Sequence, residues 1–263
     1  MTKTNYCLTA LLVLSASLRA ARTAEGLGLR HLARKLGVSA QLLSLWETGK
    51  RSPAVEDTAH LLGYLRVNPR EYHRIMQLRY QIDNPIAVET LSTGSTGQLH
   101  AIQEISIRTF EWAPQVVPEP LQTPEYIKAI WQGPASSPDD LDLAVFAHQI
   151  RQLERTRPSH ETFLLGVEAL APAAVPQLQA LRSTANEPTL KVRIVRPSRP
   201  AAETIEPFTI YEVAKDVFTV ALRHQDNIFL VSETDTVQRY RSTFKALERN
   251  SITPRDYQPD EAP

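Results

Sequence analysis

Ala40, Gln41 and Ser44 stand at helical spacing near the start of one short segment, and Lys50-Arg51 follows just beyond its end. A glutamine amide both donates and accepts, so it can bond adenine in a bidentate fashion. Alanine or leucine can touch a thymine methyl, each good base contact contributing roughly 1 to 3 kcal/mol of discrimination. Two adjacent cations past the helix suit phosphates, which fix register without carrying sequence information. The set, with Ser39 just before it, predicts DNA recognition, with Gln41 as the principal base reader, Ser39, Ala40, Ser44 and Leu45 beside it, and Lys50 and Arg51 on the backbone. At its spacing Leu45 serves equally well as a core contact. For the others the plain alternative is a solvated surface residue.

Those residues need a rigid frame, and the flanking sequence supplies one. Leu14, Leu18, Ala21 and Ala24 recur at spacings of three and four, predicting an amphipathic helix from Leu14 to Ala24 with Arg19 and Arg22 on its outer face. Gly26 and Gly28 interrupt it, and a second helix spans Leu29 to Leu36, closed by Gly37 where a left-handed cap is required. Ser39 can accept from the first free amides of a third helix, Ala40 to about Thr48, which Gly49 ends. The spacing of Leu32, Ala33, Leu36, Val38, Leu43 and Trp46 predicts a shared core. Two helices across the tight turn Gly37-Val38-Ser39 let the second lie in the major groove while the first crosses the backbone. Ser52-Pro53 and Asn68-Pro69-Arg70-Glu71 carry start signals for a fourth and a fifth helix, Ser52 as cap of the fourth. Their buried stripes are Val55, Ala59, Leu62 and Leu65, then Tyr72, Ile75, Met76 and Leu78.

Bulk properties agree with a DNA-binding front end. The 263 residues carry no net charge, yet residues 1–82 hold 12 Lys and Arg against 5 Asp and Glu, a balance of +7 that the rest offsets. A basic first third is the footprint of a nucleic-acid-binding domain, and the acidic remainder argues against DNA along the whole chain. Cys7 is the only cysteine, which excludes an intramolecular disulfide and a cysteine-based zinc site and fits a reducing cytoplasm. The apolar run from Cys7 to Leu18 is too short to span a bilayer. We do not read it as a signal peptide, since cleavage there would remove the first helix of the module.

The run Leu32-Ala33-Arg34-Lys35-Leu36-Gly37-Val38-Ser39, continued by Leu43-Ser44-Leu45-Trp46-Glu47-Thr48-Gly49-Lys50-Arg51-Ser52-Pro53, resembles the Cro and phage-repressor class of helix-turn-helix domains. The second helix opens on Gly28-Leu29 where that class usually has Ser-Gln, and Ala40 stands where Gln is common. The resemblance implies a five-helix fold. One recognition helix reads only a few base pairs, so a homodimer on double-stranded DNA is expected.

We divide the chain into a helix-turn-helix domain at 1–82, a linker at 83–97 containing Ser-Thr-Gly-Ser-Thr-Gly, and a regulatory or dimerisation domain at 98–258. In the last, helices are expected at Gln98 to Phe110, from Thr123-Pro124-Glu125, from Ser137-Pro138 to about Arg155, near Val175 to Arg182, and from Asp235 to Arg249. Runs rich in Val, Ile and Phe predict strands at Thr162 to Ala169, Leu190 to Arg196, Phe208 to Val213, Val217 to Leu222 and Ile228 to Ser232. The whole is α+β, an all-α domain followed by a mixed one.

Trp112 and the run Val117-Pro118-Glu119-Pro120-Leu121-Gln122-Thr123-Pro124-Glu125-Tyr126 are similar to the signature of an uncharacterised domain that follows helix-turn-helix modules in antitoxin-like actinobacterial regulators, with Glu119-Pro120 in place of Gly-Leu. Further agreement lies at Arg151-Gln152, Glu168-Ala169-Leu170, Val192 to Pro197, Pro207-Phe208-Thr209 and Tyr240-Arg241. The resemblance implies a transcription factor often controlled with a small neighbouring protein. Trp112, Tyr126, Trp131 and Phe208 are candidates for the wall of a ligand or partner site, with core packing the commoner role for such aromatics. No cofactor, metal or membrane is expected. His148, His160 and His224 are isolated, and with nine glycines and no nucleophile-elbow or phosphate-loop motif the chain is not expected to be an enzyme.

Overall fold

The computed structural model describes residues 7–84, 86–90, 98–131, 142, 145–146, 160–184, 187–196 and 205–258. The fold is α+β, and the chain divides into two compact units, Met1–Ile105 with Glu212–Val237 and Ser106–Tyr211 with Gln238–Pro263.

The first unit opens with α1 (Leu8–Ala24), α2 (Leu29–Leu36), α3 (Ala40–Glu47), α4 (Val55–Tyr64) and α5 (Pro69–Gln81). The five helices match the expected order. At α5 the Asn68 carboxamide accepts from Glu71 N at 3.0 Å, and Pro69 fills the first turn, where its missing amide is no loss. Two boundaries differ from expectation. α1 begins at Leu8, because Leu11, Val13 and Leu14 extend its buried face, and the Cys7 thiol accepts from Ala10 N at 3.4 Å. α4 begins at Val55 with Ala54 as its cap, since the Ser52 hydroxyl turns to Pro53 O at 3.2 Å; Thr58 and Leu61 take the buried places expected of Val55 and Ala59.

Within the stretch read as a linker, Ile86–Thr90 forms strand β1. It pairs antiparallel with β7 (Asn227–Val231), which pairs antiparallel with β6 (Val217–His224). α6 (Gln98–Ile105) completes this unit, with its Leu99 amide on the Glu89 carboxylate at 3.0 Å. The alternation Ile86-Ala87-Val88 has strand period, and the neighbouring turn residues obscured it. The Ser-Thr-Gly run lies outside the described residues.

In the second unit β2 (Arg108–Ala113), β3 (His160–Leu165) and β4 (Leu190–Val195) form a parallel ladder, and β8 (Ser251–Ile252) joins β4 antiparallel. α7 (Pro124–Trp131) and α8 (Ala174–Ser183) contribute helices, while β5 (Phe208–Ala214) and α9 (Thr234–Arg249) run across the division between units. The helix expected from Gln98 to Phe110 thus stops at Ile105, because Thr109 and Trp112 are buried in a strand. The strand expected to reach Ala169 stops at Leu165. There Gly166 donates to Ala113 O at 3.0 Å, and a Cβ on it would lie 2.2 Å from Pro114 O. Residues Glu168–Ala173 form a 3-10 helix instead. Apart from 142, 145 and 146, the helix expected from Ser137 to Arg155 lies outside the described residues.

Candidate nucleic-acid interface

The turn between α2 and α3 is built as its residue types require. Gly37 adopts φ 70°, a left-handed conformation that an L side chain would strain, and its amide returns to the end of α2. Ser39 then caps α3, its hydroxyl accepting from Leu42 N at 3.0 Å. Leu43 and Trp46 on α3 are buried with Leu32, Ala33 and Leu36 of α2, so the two helices share one core. Val38 is half-buried at its margin.

On the other side of α3, Ser39 and Gln41 are exposed, and Ala40, Ser44 and Leu45 are half-buried. Lys50 and Arg51 are exposed, and their amides both return to Leu45 O, at 3.0 and 3.2 Å. The Leu45 carbonyl therefore fixes where the two cations leave the helix. Gly49, at φ 69°, makes this turn against α1, where a Cβ would meet Leu12 at 3.1 Å. The seven residues proposed for DNA contact thus form one continuous stripe from the α3 cap to the turn beyond it.

Sequence reasoning missed the pair that holds this stripe in place. Arg22, expected on the outer face of α1, donates from Nε and one terminal nitrogen to the two Glu47 oxygens at 2.7 and 2.8 Å, and from its other nitrogen to Leu27 O at 2.7 Å. Glu47 is 6% exposed. The hydrogen bond to Glu47 raises the Arg22 pKa above its ordinary value, outweighing the opposing effect of burial. A bidentate pair of this kind fixes orientation as well as distance, so it sets α3 against α1 and the loop after it. The signal was available: Glu47 is the single acid in α3 and lies on the face of Leu43 and Trp46.

Of the aromatic candidates in the second unit, Trp112, Tyr126 and Phe208 are all core residues. Trp112 donates from Nε1 to Ile205 O at 3.0 Å, and Phe208 packs edge-on against Tyr240 and Phe244. The Tyr126 hydroxyl donates to Ala169 O at 2.8 Å and accepts from Val117 N at 2.9 Å. Burial pushes its pKa up, against the opposing pull of the Val117 amide. Gln122 donates to Val117 O at 2.7 Å, and the fully buried Gln177 accepts from Thr123 N and donates to Leu121 O. The Val117 to Tyr126 signature, a 3-10 turn at Glu119–Leu121 that runs into α7, is therefore braced by Gln122 and Tyr126 from within and by Gln177 of α8, whose side chains satisfy backbone groups of its proline-rich bend. The side chain of Trp131 and the whole of His148 lie outside the described residues. Among the described residues, no helix is long and apolar enough to cross a membrane.

A family model described as "Domain of unknown function (DUF5753)" matches residues 96–256, and one described as "Helix-turn-helix domain" matches residues 13–75. No curated protein matches the chain. Among solved structures, the clp gene regulator ClgR from C. glutamicum is 26% identical over 28% of this chain and 90% of its own, with a TM-score of 0.24. TrmBL2, an archaeal chromatin protein, is 12% identical over 73% of this chain and 65% of its own, with a TM-score of 0.35. NucT from Helicobacter pylori is 8% identical over 64% of this chain and 98% of its own, with a TM-score of 0.33.

Proposed function

The chain belongs to the DUF5753 family, and from the helix-turn-helix domain in front of that region we propose that it is a sequence-specific, DNA-binding transcriptional regulator of the Cro and phage-repressor kind. It works in the cytoplasm as a homodimer on double-stranded DNA and is not an enzyme. Its C-terminal domain supports dimerisation and receives a ligand or a small partner protein. The observation that carries the reading is the α3 stripe: an exposed amide at Gln41 on a capped, core-anchored helix, ending in two exposed cations held by one carbonyl. Such a helix is of the size the major groove admits.

Selection of bound sequences from random DNA by the purified full-length protein, at a stated salt concentration, tests it. An enriched palindrome with half-sites about one helical turn apart is the expected product. Binding that is salt-sensitive but without an enriched motif would count against sequence-specific regulation.

A second reading makes the C-terminal domain an antitoxin-like module that neutralises a small protein, with DNA binding serving autoregulation. It draws on the exposed apolar side chains Val116, Ile130 and Val175 of the second unit. Its mark would be rescue of growth when this chain is produced together with a small protein whose production alone arrests growth.

A further inference from the structure

A cavity of about 20 Å³ lies wholly within the first unit, where α1 and α5 meet α6 and the sheet of β1, β6 and β7. Leu78, Ile102 and Leu230 give it an apolar side, and Cys7, Thr9 and Gln98 a polar one. The polar side is not satisfied from within. Gln98 is 7% exposed, yet no group bonds its carboxamide among the described residues. Thr9, 2% exposed, ends a chain of hydroxyls. Thr219 donates to it at 2.6 Å, which uses the one proton of Thr219, so Ser232, 2.7 Å from Thr219, donates to Thr219 in turn. The Thr9 proton is then left without an acceptor among the described residues.

Two buried polar side chains with unused hydrogen-bonding capacity on one cavity call for a small polar occupant, because such groups are costly to leave unpaired. Size narrows the class. A single water needs about 10 to 15 Å³, so this space takes a molecule of one or two heavy atoms. Charge narrows it further: no Asp, Glu, Lys, Arg or His lines the cavity, and an ion buried there would go unpaired. Sulfur decides the chemistry. Cys7, 7% exposed, lines the same space, and its Sγ accepts from Ala10 N at 3.4 Å. Hydrogen peroxide is uncharged, has two oxygens that each donate and accept, and oxidises thiols.

We propose that this cavity admits hydrogen peroxide and that Cys7 is oxidised there to a sulfenic acid. The Cys7 sulfur forms a bond to one peroxide oxygen as the O–O bond breaks. Sulfur loses two electrons to the peroxide, and the second oxygen leaves as water with the thiol proton. Thr9 and the Gln98 carboxamide supply hydrogen bonds to the oxygens on either side of the breaking bond. The product suits the site as well, since the space holds one added oxygen and the same two groups bond it. The chain has no second cysteine to close an intramolecular disulfide, and the cavity is too small for a peptide thiol, so the sulfenic acid persists. Cys7 caps α1, and its amide donates to Ile82 O just past α5 at 2.8 Å. Oxidation therefore acts at the joint between the DNA-binding helices and the sheet.

Treatment of the full-length protein with hydrogen peroxide in the presence of dimedone, followed by mass spectrometry, reads the modification directly and needs no DNA. The native protein should gain one dimedone adduct on Cys7, at least as fast as the urea-unfolded chain does, with Cys7→Ser as the blank. Gln98→Met keeps the length of the side chain and removes the carboxamide; it should slow labelling about fivefold, the effect of one neutral hydrogen bond. Slower labelling of the native than of the unfolded chain would make Cys7 an inert core thiol and overturn the proposal. Equal rates for wild type and a folded Gln98→Met overturn it too, since the cavity wall would then take no part. If circular dichroism shows that Gln98→Met has lost its fold, the comparison of native with unfolded wild type decides alone.

Discussion

The Arg22 guanidinium holds both carboxylate oxygens of Glu47, at 2.7 and 2.8 Å, and so ties the recognition helix to the helix that precedes it by two. Both partners are largely withdrawn from water, at 11% and 4% side-chain exposure. Removing one member strands the other's charge at a cost of about 3 to 5 kcal/mol. Glu47→Ala should lower the denaturation midpoint accordingly and weaken DNA binding, whereas Arg22→Met with Glu47→Leu should recover most of the stability. Equal midpoints for wild type and Glu47→Ala would mean the pair does not position α3.

Gln41→Ala removes the exposed amide at the start of α3 and nothing from the core. Discrimination at one base position should fall by roughly 1 to 3 kcal/mol while the other positions keep theirs. Arg51→Ala should act differently, weakening all sequences alike and reducing the slope of log affinity against log salt by about one unit. Selection profiles and salt titrations of the two variants separate base reading from phosphate contact. Identical profiles would remove Gln41 from the interface.

The helix-turn-helix domain was legible because its signals are local. A left-handed glycine, a serine cap and apolar residues at periods of three and four act within a few residues of one another, and Gly37, Ser39, Leu43 and Trp46 stand where they were placed. Glu47 could be read as an acid on the buried face of α3, but its pairing with Arg22 could not, because a partner 25 residues away decides whether an arginine is exposed or buried. β1 hid for a related reason. A five-residue strand with Pro85 before it reads as a turn until β7, some 140 residues on, supplies its hydrogen bonds. For Trp112, Tyr126 and Phe208 the sequence left a site wall beside the commoner role of core packing, and each is packed in the core of its own unit.

Tyr126→Phe tests whether the Val117 to Tyr126 signature is a folding device. It keeps the ring and deletes the hydroxyl, leaving Val117 N and Ala169 O without that partner in a buried place. A loss of about 1 to 3 kcal/mol is expected, read as a lower melting temperature with selectivity for DNA unchanged. A stable variant that responds differently to an effector would move Tyr126 from core to signalling site.

Glu71 carries an acid dependence whose sign follows from its pairing. Arg74 donates to both its oxygens, at 2.8 and 2.6 Å, and this hydrogen bonding holds the carboxyl below its ordinary value despite partial burial. A depressed carboxyl contributes stability that is fully present above the ordinary value of 4.5 and is lost as pH falls through the lower folded value. Glu71 is 36% exposed, so the contribution should stay below about 1 kcal/mol. Glu71→Gln should lower the melting temperature slightly at neutral pH, where the pair contributes, and leave the most acidic points unchanged, so that the fall below pH 4.5 is flatter. An unaltered acid limb would assign that fall to other carboxylates.

A fragment ending at Gly97 would contain all five helices of the DNA-binding domain, and it should nonetheless be less stable than the same helices in the full chain. β6 and β7 share the first compact unit with those helices. Thr219 on β6 donates to Thr9 of α1 at 2.6 Å, and its oxygen lies 2.7 Å from the Ser232 hydroxyl. Cutting at Gly97 removes Thr219 and Ser232 and opens the α1 face that carries Ala10 and Val13, 5% and 2% exposed in the intact chain. β1 would also lose β7, the strand that its backbone bonds to. Thermal unfolding followed by helical circular dichroism should show the fragment melting several degrees below the intact chain, in line with a loss of a few kcal/mol. Thr219→Val in the intact chain should produce a smaller shift of the same sign, about 1 to 2 kcal/mol for the Thr9 hydroxyl left without its partner. A fragment as stable as the whole chain would make the DNA-binding helices an independent module and leave β6 and β7 without a part in holding α1.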